Sequence, residues 1–205
     1  MKKIITISRE FGSGGRYVGR LLADSLNIPF YDNELIDMLS KKSNYSKDFI
    51  KKTEDVKTSS FLYNLSTEGV FMNNPYGAMA PNDKLFIIQN NLIKELAEKG
   101  PCVIVGRCSN YILRERDDVL NVFITCDMKH RIERCVKYYG IAEKDAQREL
   151  RKKDKARASN FNYYTGSEWG VVKNYDVALN TGTFSVEKCA EILKSLLECD
   201  AHSEE

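Results

Sequence analysis

The first residues with chemistry in their spacing are Ile4-Ile5-Thr6-Ile7-Ser8-Arg9-Glu10-Phe11-Gly12-Ser13-Gly14-Gly15-Arg16-Tyr17-Val18-Gly19. Three glycines fall within four residues, after a β-branched run and directly before a helical pattern. Strand, glycine-rich turn and helix start bring backbone N–H groups onto an anion, with the positive end of the helix dipole behind them. Gly12, Ser13, Gly14, Gly15, Arg16 and Tyr17 are therefore candidates for holding a phosphate. The usual phosphate loop has a lysine after its last glycine. Here Gly15 stands at that position, and Arg16 is the candidate replacement. Arg9 and arginines later in the chain are the alternatives for the same charge.

Two further sets of residues fit the same chemistry. Gly106-Arg107 follows the apolar run Cys102-Val103-Ile104-Val105. In open α/β sheets ligands bind beyond the carboxyl ends of the strands, so Arg107 would face the crevice that the glycine loop faces. Between Lys129 and Arg157 stand eleven Lys and Arg residues against five acids, in a chain whose net charge is only +2. A charge run is usually a solvated helix face. Concentrated here, it also suits a flap that closes guanidinium groups over phosphates.

The elements that must position these groups alternate. Residues 3–8 read as a buried strand, and Val18, Leu21, Leu22 and Leu26 recur at helical spacing after Arg16. Pro29-Phe30-Tyr31 reads as a short strand, with Asp32-Asn33 capping a helix from Glu34. Ser46–Val56 reads as a helix, and residues 58–82 as a long mobile excursion of the kind that forms lids and binding loops. An amphipathic helix follows from Asn82-Asp83 to Lys99, stopped by Gly100-Pro101. Residues 102–105 and 119–125 read as strands, 127–139 and 143–160 as helices, and 161–174 as a polar loop. A strand over 175–179 and a helix over 185–197 complete the chain. The alternation predicts an α/β protein with a doubly wound parallel sheet of five strands, flanked by helices, in a single domain.

Bulk properties narrow the function classes. With 205 residues, 42% hydrophobic and 29% charged, the chain reads as an ordinary globular protein. The small net charge gives no footprint for nucleic acid, and no apolar run reaches the roughly 20 residues of a membrane span. The start Met1-Lys2-Lys3 is followed by only four apolar or β-branched residues before Arg9 and Glu10, unlike a secretion signal. A cytoplasmic protein is expected. The six cysteines form no C-x-x-C pair and only two histidines are present, which favours reduced thiols near the core over a metal site.

Several segments together resemble the nucleoside monophosphate kinases, and in detail the cytidylate kinase-like family. Ile7 to Gly15 stands for the P-loop, and Tyr31-Asp32 for the opening of the monophosphate-binding helix. Val105-Gly106-Arg107 is similar to a Gly-Arg-Asp segment, with Cys108 in place of the acid. Phe123-Ile124-Thr125-Cys126 with Arg131 and Arg134 resembles the strand and helix that enter the lid. Asp154-Lys155-Ala156-Arg157 matches a D-x-x-R pattern, and residues 175–181 resemble the last strand. The resemblance implies the P-loop kinase fold. Its core would be residues 1–32, 83–128 and 175–199, with an acceptor-binding insertion over about 33–82 and an arginine-rich lid over about 140–170.

The same resemblance implies ATP as phosphate donor with Mg²⁺, and a nucleoside monophosphate, CMP or dCMP above all, as acceptor. Arg107 and Asp32 would bind the acceptor, Asp154 its sugar, and Arg131 and Arg157 the acceptor and transferring phosphates. Arg16, Arg131 and Arg157 are thus the expected catalytic cations, with nucleotide substrates as partners and neither nucleic acid nor membrane. Besides Cys108, the chain departs from the pattern at four places. Gly15 replaces the loop lysine, and Tyr17 the hydroxyl residue that helps seat Mg²⁺. Met38 replaces an acceptor arginine, and Leu150 falls where another lid arginine is expected. A nucleotide-binding protein without transfer activity, or a kinase for another small acceptor, are the alternative readings.

Overall fold

The computed structural model describes residues 2–55 and 79–198. The expected excursion over 58–82 lies mostly outside the described residues, as do Val56 and the polar tail from Cys199. Strand β1 (Ile4–Arg9) is the centre of a five-stranded sheet in the order β2-β3-β1-β4-β5, with β2 at Phe30–Tyr31, β3 at Cys102–Val105, β4 at Val119–Thr125 and β5 at Val177–Asn180. Every pairing is parallel. Ile4 to Ile7 pair with Cys102 to Val105 on one side and with Val119 to Val122 on the other. Such a strand has no water on either face, so β1 and β3 read as continuous apolar runs.

The helices cover the two faces as the side-chain alternation dictates. Helices α1 (Gly15–Leu26) and α8 (Val186–Glu198) press Val18, Leu22, Cys189 and Leu193 onto Ile5, Ile7, Val103, Val122 and Ile124. The opposite face takes α2 (Glu34–Ser43), α3 (Lys47–Asp55), α4 (Pro81–Glu98) and the short α5 (Ser109–Ile112). There Leu35, Leu39, Ile50, Leu92 and Ile93 close over Ile4, Cys102, Ile104 and Val119. Helices α6 (Met128–Tyr139) and α7 (Glu143–Thr165) form a hairpin at the carboxyl end of the sheet. Cys135, Ala146 and Leu150 are its own buried seam. The five described cysteines are buried and free.

Two boundaries differ from the sequence reading by more than one residue, and one expected cap bond is not made. Helix α7 continues past residue 160 to Thr165, because Phe161 and Thr165 extend its buried face; Gly166, at φ 66°, ends it. A 3₁₀ turn at Val172–Asn174 precedes β5, which begins at Val177 rather than Tyr175. Asn33 stands at the N-cap of α2 without a side-chain cap bond. Asp32 does not cap α2 because its carboxylate is drawn to Arg16.

Beyond the carboxyl ends of the strands, β2 and β3 lie on one side of β1 and β4 on the other. That is the switch point at which an open α/β sheet leaves a crevice. All the positioned groups described next converge there.

Candidate active site

The loop after β1 turns on two glycines in the left-handed region, Gly12 at φ 77° and Gly14 at φ 81°. Non-glycine residues would be strained at both. Ser13 donates its N–H (3.3 Å) and its hydroxyl (2.9 Å) to the Glu10 carbonyl, which closes the turn. No side chain caps the N-terminus of α1; Tyr17 and Val18 donate to the Gly14 carbonyl, which leaves the N–H groups of Gly15 and Arg16 for an anion.

Three arginines hold the loop by its carbonyls. Arg131, only 4% exposed, donates through Nε to the Phe11 carbonyl (2.8 Å), pairs with Asp154, and lies 3.3 Å from Glu10 Oε1. Asp154 accepts the Phe11 N–H at 2.7 Å, so both edges of that residue are pinned. Glu10 is fixed in turn by the Thr125 hydroxyl (2.6 Å) and the Cys126 N–H (3.0 Å). Arg134 donates to the Ser13 carbonyl (3.2 Å), the Thr181 carbonyl (3.0 Å) and the Thr181 hydroxyl (3.1 Å). Arg157 donates to the Arg9 carbonyl at 3.0 Å. With the carbonyls held from behind and the Phe11 and Ser13 amides already engaged, the glycine amides of the loop face the ligand side.

The cleft in front of this loop has a volume of about 360 Å³. Gly12, Gly14, Gly15 and Arg16 of the loop line it together with Asp32, Asn33, Gln89, Arg107, Asn160 and Tyr164. Its cations are Arg9, Arg16, Lys51, Arg107, Lys153 and Arg157, against the carboxylates of Glu10 and Asp32. Low-dielectric walls make such an excess a trap for anions. Asp32 sits 2.5 Å from Arg16 and 3.9 Å from Arg9.

At the exit of β3 three consecutive residues are left-handed: Gly106 at φ 72°, Arg107 at φ 63° and Cys108 at φ 56°. Non-glycine residues adopt this region at about 1–2 kcal/mol each, and such strain concentrates at functional sites. Buried Gln89 stabilises the turn, donating to the Arg107 carbonyl (3.0 Å) and accepting from Arg107 Nη1 (3.4 Å). Burial pushes the Cys108 thiol up to about 12, which leaves it protonated and unreactive at neutral pH. Phe86 and Tyr164 stack with ring centres 3.9 Å apart. Burial, then Asp83, raises the Tyr164 phenol, which donates to that carboxylate at 3.1 Å.

The glycine loop fits the phosphates of a nucleotide. A protein ligand set for Mg²⁺ does not fit the cleft in the same way. Glu10 and Asp32, its two carboxylates, are held by arginines, and Tyr17 points outside toward Tyr138. Elsewhere, Cys126, Asp127 and His130 bring potential ligand atoms within 4.8 Å of one another. Asp127 is the N-cap of α6, and Arg134 Nη1 lies 3.2 Å from Cys126 Sγ, a fixed positive charge where a cation would bind.

The model of the cytidylate kinase-like family matches residues 4–183. The chain belongs to that family. The cytidylate kinase of Ignicoccus hospitalis is 23% identical over 95% of this chain and 98% of its own length. That of Methanopyrus kandleri is 25% identical over 51% of this chain and 58% of its own length. Among solved structures, an uncharacterized protein from Eubacterium ventriosum matches with a TM-score of 0.72 and 29% identity, covering 96% of this chain and 99% of that one. Shikimate kinase from Bacteroides thetaiotaomicron matches at 0.54 and 16% identity, covering 96% and 98%. The second likeness is one of fold, the P-loop kinase fold.

Against the family pattern, the cleft gathers Gly12, Gly14, Gly15, Arg16, Asp32, Arg107 and Arg157. Ser13, Tyr17, Arg131 and Asp154 are not among its lining residues. Ser13 is buried in the turn, and Tyr17 is 48% exposed on α1. Arg131 and Asp154 lie under the loop. Leu150 is fully buried, and a Cβ on Gly12 would meet its Cδ2 at 3.1 Å, so this position packs the loop instead of charging the lid. Met38 packs into the core. Lys51 and Gln89 line the cleft without any sequence signal beyond membership of a helix, and Lys153 lines it as one member of the charge run. Glu10 was visible only as a neighbour of the glycines.

Three outcomes follow. Asp154→Ala strips Arg131 of a buried partner and orphans the Phe11 N–H; about 2–4 kcal/mol of stability should go. For a chain of this size, Tm should fall by about 5–12 °C in calorimetry. Arg107→Gly should be more stable than Arg107→Ala by about 1 kcal/mol in denaturant melts, because glycine relieves the left-handed residue. Gly15→Lys should not recover a standard phosphate loop. A Cβ there would stand 2.7 Å from Arg9 Cβ and 3.0 Å from Ile124 Cβ. Overpacking of that kind costs about 1–3 kcal/mol, read as a lowered Tm with no gain in nucleotide turnover.

Proposed function

We propose that this protein transfers the γ-phosphate of Mg·ATP to a nucleoside monophosphate, CMP or dCMP. The observation that carries the reading is a single cationic cleft lined both by the glycine loop and by Arg107. Donor phosphates would lie on the amides of residues 12–16, against Arg16. The acceptor monophosphate would lie against Arg107. Asn33, Asn82, Gln89 and Asn160 supply amides around it, and Phe86, Tyr164 and Trp169 supply aromatic faces. Amides that both donate and accept suit the carbonyl and amino edge of a pyrimidine.

An acceptor phosphate oxygen is already anionic, so the transfer requires no general base. Catalysis comes from alignment, exclusion of water and positive charge around the moving group. Arg157 would clamp that group from α7, with Lys153 beside it; both guanidinium and ammonium lie over the Phe11 ring, at 5.4 and 5.2 Å from its centre. Arg131 and Asp154 would act through the loop that they pin rather than on the nucleotides. In this reading residues 33–82 serve the acceptor and residues 140–170 form the lid over the core.

A coupled assay with Mg·ATP and a panel of nucleoside monophosphates tests this. Release of ADP with CMP or dCMP is expected, at a kcat on the order of 1–100 s⁻¹. Arg107→Ala should raise the acceptor KM by about 10–100-fold, the loss of a charge-assisted contact, with the KM for ATP little changed. No ADP with any monophosphate would overturn the reading. Glycine at position 15 favours one second reading, nucleotide binding without transfer. Tight ATP binding by calorimetry together with no turnover, including with other small acceptors, would select it.

A further inference from the structure

We propose that Arg9 is the cation of the transferring phosphate, in the role that position 15 cannot fill in this loop. The inference rests on the kinase reading and adds a residue to it. Position 15 is closed to any side chain by the Cβ atoms of Arg9 and Ile124. The residue that closes it carries a charge of its own.

Arg9 is the last residue of the central strand, paired with Ile124 of β4, and its carbonyl is held by Arg157. Its root is therefore fixed from two sides. Its side chain, 20% exposed, crosses from the loop to the exit of β3. A Cβ on Gly106 would stand only 2.2 Å from Arg9 Nη1, so the guanidinium lies against the bare Cα of that glycine. Nη2 lies 3.9 Å from Asp32 Oδ1 at the end of β2. The group thus stands among the carboxyl ends of β1, β2 and β3, at the seam between the glycine cradle and Arg107. A phosphate passing between donor and acceptor crosses that seam. Arg16, by contrast, has a side chain 47% exposed on the first turn of α1, with Nε engaged by Asp32.

The chemistry suits a guanidinium. Its planar fork can meet oxygens of two phosphates at once, which an ammonium on a flexible stem does less well. In the step, an oxygen of the acceptor monophosphate forms a bond to the γ-phosphorus. The bond from that phosphorus to the β–γ bridging oxygen breaks, and its electron pair remains on ADP. The summed charge of the nucleotides is the same before and after, and no proton need move. Arg9 would stabilise the equatorial oxygens of the group in flight.

The test uses the full chain, Mg²⁺, ATP and ADP, with calorimetric binding read beside turnover. Arg9→Ala should lower kcat by about 10³-fold or more, the scale of a lost transition-state arginine. It should also reduce the preference for ATP over ADP to about one, with ADP affinity within about twofold of wild type, since in this role Arg9 meets the transferring and acceptor phosphates and neither phosphate of ADP. Arg9→Met keeps the length without the charge, so it gives the same loss if truncation to alanine disturbs folding. Arg9→Lys should recover part of the ATP preference.

Undiminished kcat and an unchanged ATP:ADP ratio in Arg9→Ala and Arg9→Met overturn the assignment while leaving the kinase reading intact. If the wild type binds ATP but phosphorylates no acceptor, the kinase reading fails. The affinity ratio then decides for or against Arg9 as the γ-phosphate cation. Binding of neither nucleotide overturns both.

Discussion

Arg131 lies beneath the peptides of Phe11 with almost no exposed surface, joined to Asp154, Glu10 and the Phe11 carbonyl at once. A buried charge in that position is tolerable only while all its partners stay in place. The constraint runs in both directions. Helices α6 and α7 cannot leave the sheet without exposing an unpaired charge, and residues 10–13 cannot relax without losing their anchor. A loop rich in glycine would otherwise sample many backbone conformations. Here its flexibility is removed by contacts to its carbonyls, and its amides keep one arrangement in advance of any ligand.

The same geometry explains how so many cations share one cleft. Each loop-holding arginine is neutralised by backbone carbonyls or by a carboxylate behind the loop. Arg134 binds carbonyls of residues 13 and 181, and Arg131 binds two acids. The cations facing the crevice overlap this set only at Arg157, and Asp32 is the counterion shared by two of them, Arg9 and Arg16. Repulsion among them lowers the stability of the empty protein and is relieved when a polyanion enters. Binding affinity and ligand-free stability are thus set against each other in the same few side chains.

Much of this was legible in the chain. The central strand, the glycine turn, the first helix and Gly106-Arg107 after β3 all declare themselves through local pattern, since each is a contiguous signal. The partners of the loop do not. The Phe11–Asp154 bond spans 143 residues and the Arg131–Phe11 bond 120, and nothing in a helix of mixed charge says which acid turns inward. Arg131 and Asp154 were named on resemblance as nucleotide ligands, whereas their side chains meet the loop. Asp32 read as a helix cap for the same reason: its local role was visible, and the arginine that outcompetes the α2 backbone for it was not. The left-handed run at residues 106–108 had one glycine to announce it. Arg107 and Cys108 adopt that conformation because Gln89 and the packed cleft hold them there.

The missing lysine looks different once sterics are counted. A lysine rooted in the first turn of α1 reaches back over the loop toward the phosphates. In this chain the space at that root is occupied by the Cβ and Cγ of Arg9, so a side chain at 15 and an arginine at 9 exclude each other. The Arg9 guanidinium in turn excludes a side chain at 106. Gly15, Arg9 and Gly106 therefore form one sterically coupled set, in which altering any member disturbs the other two. The bare Gly106 also begins the left-handed turn that carries Arg107 to the cleft. Moving the positive charge from the helix to the strand thus links the donor loop to the acceptor arginine through direct contact, a link that a lysine on the helix would not make.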